Sequence, residues 1–73
     1  MTPDLYEMLE TSCKSQISKA KLTLNLLSNN PAGIGDHSTT DFYENAESAL
    51  AKLAEARDKL NCLTSNYTTS VRV

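Results

Sequence analysis

Seventy-three residues carry seven basic and nine acidic side chains, a net charge of -2 with histidine neutral, and make one small domain, residues 1–73. The chain has no basic block to hold a DNA or RNA duplex, no stretch of membrane-spanning character and no signal-peptide core at its start, so the expectation is a soluble, cytoplasmic protein. A chain this short buries a modest core, two helices alone are marginal, and a homo-oligomer is the cheapest source of further burial.

The first helix is expected from about Pro3 to Leu27 or Asn29. Thr2 is placed to cap the first amides, Pro3 suits the first helical position, and Asp4 suits the first turn. Leu5, Leu9, Cys13, Ile17, Ala20, Leu24 and Leu27 recur at spacings of four and three, which reads as one apolar face. Met8, Leu22 and Leu26 fall on a second stripe. One partner helix cannot cover both, so the second stripe reads as a subunit interface, the alternative being incidental surface leucines.

The helix stops in Ser28-Asn29-Asn30-Pro31, because the residue before proline is steered out of the α region. Residues 31 to 41 then hold both glycines, the second proline and the single histidine. This is more chemistry than a plain turn needs. Gly33 and Gly35 free the backbone, Ser38, Thr39 and Thr40 offer hydroxyls, and a helix N-terminus favours an anion. His37 is placed to bond a phosphate or stack on a base, and Tyr43 to cover one. The candidate ligand site is therefore Gly33, Gly35, His37, Ser38, Thr39, Thr40 and Tyr43. The other reading of the segment is a purely structural cap and turn. Two glycines without a preceding strand or a following lysine make neither a dinucleotide fingerprint nor a phosphate-binding lysine loop.

Asp36, His37 and Asp41 supply too few ligands for a metal centre, and no metal or cofactor is expected. Asp36, His37 and Ser38 do not read as a catalytic triad, because adjacent residues rarely place nucleophile, base and orienter correctly, and the length of the first helix separates Cys13 from His37. The chain is expected not to be an enzyme.

The second helix is expected from about residue 39 to 65, with overlapping capping boxes at Ser38/Asp41 and Asp41/Glu44. Phe42, Ala46, Ala49, Leu53, Ala56, Leu60, Leu63 and Tyr67 alternate spacings of four and three, a heptad seam. Leu50 lies beside it and joins Met8, Leu22 and Leu26 as a candidate interface residue. Glu55 and Lys59 form an i,i+4 pair. Residues 66–73 lose the pattern and read either as a flexible tail or as an edge strand for a partner. An antiparallel hairpin brings Cys13 and Cys62 to similar heights, but a cytoplasmic setting favours free thiols. The fold expected is all-α: an antiparallel two-helix hairpin, about 3–29 and 39–65, with a Gly-containing loop, assembling as a helical homo-oligomer.

Asn30-Pro31-Ala32-Gly33-Ile34-Gly35-Asp36-His37, followed by the alanine-rich helix from Phe42 to Leu60, resembles small helical accessory proteins encoded by tailed bacteriophages. The resemblance covers residues 30–63. It implies a viral accessory protein made in a bacterial cytoplasm, where such proteins block host enzymes or immunity, some by sequestering nucleotide signals. The expected function is a non-enzymatic anti-defence binding protein that sequesters a small nucleotide through the loop and the start of helix two. The alternatives are an inhibitor or adaptor binding a host protein through an apolar helix face, and a small virion or assembly component.

Overall fold

The computed structural model describes residues 1–29 and 39–67, apart from the side chains of residues 39 and 40. It contains α1, Pro3–Asn29, and α2, Thr39–Asn66. They pack against each other along their lengths as an antiparallel hairpin 53 Å long and 14 Å across. The start of α1 is capped as its sequence requires. Thr2 Oγ1 accepts a hydrogen bond from the Leu5 amide at 3.2 Å, and the Thr2 carbonyl accepts one from the Tyr6 amide at 3.0 Å. Thr2→Ala should cost about 1 kcal/mol and lower the melting temperature by about 4–8 °C in a thermal scan. An unchanged melting temperature would mean that the cap contributes nothing.

α2 begins at Thr39 and carries Asp41 in its first turn. Ser38, needed for one of the two capping boxes, lies outside the described residues. At the other end, Asn66 Nδ2 donates to the Cys62 carbonyl at 2.7 Å, and Thr64 Oγ1 donates to the Asn61 carbonyl at 3.2 Å. These side chains fold back onto carbonyls of the last turns, which carry no basic residue. The Tyr67 amide still reaches the Leu63 carbonyl at 2.9 Å, so the helical path continues through the first residue past α2. Most of the candidate tail, residues 68–73, lies outside the described residues.

The buried residues mark the seam. In α1 they are Tyr6, Cys13 and Ala20; in α2 they are Ala49, Ala56 and Leu63. Both trios repeat every seven residues, the period of a left-handed helix pair. Counted outward from the connection, Ala20 lies level with Ala49, Cys13 with Ala56, and Tyr6 with Leu63. Half-buried Glu10, Ile17 and Leu24 fill the alternate positions of α1, and Ala46, Leu53 and Leu60 those of α2, while half-buried Leu27 and Phe42 continue the two buried repeats toward the connection. Small residues meeting at two successive levels let the backbones approach closely in the middle. The larger Tyr6 and Leu63 thicken the core toward the free end.

This corrects the N-terminal half of the α1 seam. The apolar spacing places Leu5 and Leu9 on it, but Leu5 is 44% exposed and Leu9 half-buried, whereas Tyr6 is 0% exposed. Each step of four overshoots a full turn by about 40°, so a row of fours run back from Cys13 through Leu9 to Leu5 drifts off the seam. Alternating steps of three and four return to within about 20° every heptad. Continued back from Cys13, that alternation reaches Glu10 and Tyr6. Tyr67, placed by the α2 repeat on the same seam, is instead exposed at the end of the hairpin.

Candidate functional site

Of the candidate ligand residues, Gly33, Gly35, His37 and Ser38 lie outside the described residues, as do the side chains of Thr39 and Thr40. Tyr43 is described. It sits one residue off the seam in the second turn of α2, largely exposed, with its ring edge-on to that of half-buried Phe42. The ring centroids are 5.8 Å apart and the planes cross at 65°. Phe42 thus anchors one ring in the hairpin while Tyr43 presents the other to solvent.

The candidate interface residues are all exposed, but the structure does not bring them into one patch. Met8 and Leu22 belong to the same heptad position, on the side of α1 facing away from α2. They lie two heptads, about 21 Å, apart along the axis. Leu26 is one turn from Leu22 and shifted toward one flank, and Leu5 takes the same shifted place beside Met8. Leu22 and Leu26 are 62% and 64% exposed. Leu50 is on α2, one heptad after Tyr43 and on the same flank as it, away from the outer face of α1. Leu22 and Leu26 therefore form one patch, Leu5 and Met8 a second on the same helix, and Tyr43 with Leu50 a third on the other.

A further surface was not visible in the sequence. On one flank of the hairpin the two helices form a groove of about 560 Å³ floored by Ala20 and Ala49. Gln16, Lys19 and Thr23 line it from α1, and Ser48, Lys52 and Lys59 from α2. Glu55 is its single acid and pairs with Lys59 at 3.9 Å. Among the described residues, Lys19 and Lys52 make no ion pair. The groove is therefore basic within a chain of net charge -2. Lys19 and Lys52 stand far apart in the chain, and that they line one groove depends on the hairpin register.

Cys13 is buried in the seam and Cys62 is exposed; both are free thiols. Cys62 lies one residue before the seam position Leu63, so its side chain is turned out of the core that holds Cys13. Asn66 Nδ2 contacts the Cys62 sulfur at 3.6 Å. Glu10, half-buried on the seam, pairs with the exposed Lys14 one turn on at 3.7 Å. The described residues contain no group of three or more His, Cys, Asp or Glu placed to hold a metal ion. No described helix is long and apolar enough to cross a membrane. No family model, curated protein or solved structure matches the chain.

Proposed function

We propose that this chain is a non-enzymatic binding module that works as a self-associated helical hairpin, with the outer face of α1 as its assembly surface. The observation that carries this reading is the placement of large apolar side chains on that face. Leu22 and Leu26 are nearly two-thirds exposed while the core between the helices is built largely from alanine and cysteine.

The arrangement on α1 suits a second copy in particular. Two α1 helices laid antiparallel about Ser15 bring Met8 of each copy level with Leu22 of the other. Leu5 of each copy then falls near Leu26 of the other. Serine at the centre lets the helices come close, and of its one-turn neighbours Thr11, Ser12, Ser18 and Lys19 only Lys19 carries charge, at the edge toward the groove flank. A twofold interface needs one patch that is complementary to itself, and this stripe has that form. Assembled so, two hairpins make a four-helix unit whose α2 flanks remain free for a further partner, including the exposed Tyr43 and Leu50.

Native mass spectrometry on gently purified protein tests the reading. The expected result is an even number of chains per particle. A single chain at micromolar concentration would overturn it.

A further inference from the structure

The basic groove has a composition that the assembly reading leaves unused. Its floor is formed by the small side chains of Ala20 and Ala49, with half-buried Leu27 adding apolar surface beside them. Its walls carry ammonium groups on both helices, Lys19 on one side and Lys52 and Lys59 on the other. Between them stand neutral polar groups, the Thr23 and Ser48 hydroxyls and the Gln16 amide. Thr23 Oγ1 donates to the Lys19 carbonyl at 3.0 Å, so its proton is already used within α1. Gln16 Nε2 lies 3.5 Å from Ser12 Oγ, a long bond that a better acceptor would displace. The strongest donors are thus the lysines, and the one acid, Glu55, is engaged by Lys59.

A groove of about 560 Å³ matches the size of sites for small organic ligands. Charge complementarity selects an anion, and the apolar lining of Ala20, Ala49 and Leu27 accommodates one with an apolar body. We infer that this groove binds a small organic phosphate, its anionic head between Lys19 and Lys52 and its apolar part against the Ala20–Ala49 floor. Lysine is suited to this task as a point charge on a flexible stem that can follow a phosphate in an open groove. The groove shares no residue with the glycine-containing segment or with the Met8, Leu22 and Leu26 stripe, although Lys19 stands one heptad before Leu26 at the edge of the assembly face, and it requires neither reading to be correct.

The test uses adenosine diphosphate as probe, titrated into the full chain at low salt and followed by backbone amide NMR shifts. Half-saturation below a millimolar is expected, with the shifts centred on residues around Ala20 and Ala49. Lys19→Gln and Lys52→Gln should each weaken binding about tenfold, and Lys52→Arg should retain it. Adenosine, lacking the phosphates, should bind at least about tenfold more weakly. Both lysines are exposed, so an unchanged circular dichroism spectrum is expected for each variant. The inference is overturned by an absence of groove shifts at millimolar probe. It is also overturned if the glutamine variants bind as tightly as the parent, or if adenosine binds as well as the diphosphate.

Discussion

Tyr6→Ala is expected to lower the melting temperature of the hairpin by about 15–30 °C, the largest single-residue effect in the chain. Tyr6 is the largest fully buried side chain among the described residues. Truncating a large buried aromatic costs about 3–5 kcal/mol through lost burial and the cavity left behind. A single core in a chain this short rarely supplies more than about that amount. Ala56 is equally buried but has little side chain to lose, and Cys13 and Ala20 are also small. The free end of the hairpin therefore depends on Tyr6 and Leu63 more than on any other level. Leu5→Ala is the control, because Leu5 is adjacent in sequence and 44% exposed; both variants are made in the Leu22→Glu, Leu26→Gln background, where the assembly contact of Leu5 is absent. Leu5→Ala should cost under about 1 kcal/mol. The two scans must be run at one protein concentration, since self-association makes the melting temperature depend on it. Equal losses from the two variants would return the seam to the Leu5–Leu9 row and overturn the register.

That register shows how much of the fold could be read from residues alone. The α2 seam was legible because apolar or small side chains occupy every four-three position from Phe42 to Leu63. The C-terminal half of α1 was legible for the same reason, from Cys13 to Leu27. The N-terminal half was not, because Glu10 stands at a seam position. A glutamate there interrupts the apolar repeat, and the leucines at 5 and 9 offer a more hydrophobic row. Periodicity outranks hydrophobicity in this case. Glu10 is tolerated because it is only half-buried and its carboxylate meets the exposed Lys14 ammonium. An exposed ion pair of this kind adds a few tenths of a kcal/mol at most. Its contribution is to allow the seam to continue, not to drive it.

The candidate surfaces were legible to different degrees. Met8, Leu22 and Leu26 could be picked out because they fall off the seam of their own helix. Leu50 could be picked out likewise, but only the paired helices show that it faces a different direction from the other three. The basic groove left no local signal. Lys19 and Lys52 have no common motif, and they line one groove only because the paired helices bring Ala20 and Ala49 together beneath it. The residues between the helices, which hold the histidine and both glycines, were the most suggestive part of the sequence. The assembly face and the groove stand on α1 and α2 without them.

Leu22→Glu combined with Leu26→Gln is expected to convert the assembled protein to a single 8.0 kDa chain while leaving the hairpin helical. Glutamate and glutamine have helix propensities close to that of leucine, so α1 itself loses little. A glutamate toward the C-terminal half of α1 meets the unfavourable end of the helix dipole, which costs a few tenths of a kcal/mol. Both positions are largely exposed in the single hairpin, so neither change opens a cavity. In a twofold interface each substitution occurs twice, and each glutamate is placed level with Met8 of the other copy. Burying that charge without a partner costs several kcal/mol, enough to dissociate a micromolar dimer. Leu50→Gln, on the other helix and flank, should leave the mass unchanged. Ser15→Cys in a Cys62→Ser background supplies the positional arm. Ser15 lies at the symmetry centre of the paired α1 helices, so mild oxidation should cross-link the chains through that position with high yield. Ser65→Cys in the same background, on the outer face of α2, should not cross-link. Dissociation by Leu50→Gln together with cross-linking through position 65 would move the interface to α2. Loss of helicity in the Leu22/Leu26 variant at concentrations where the parent is folded would instead mean that the hairpin has no stable existence outside its assembly, and that folding and association are one event.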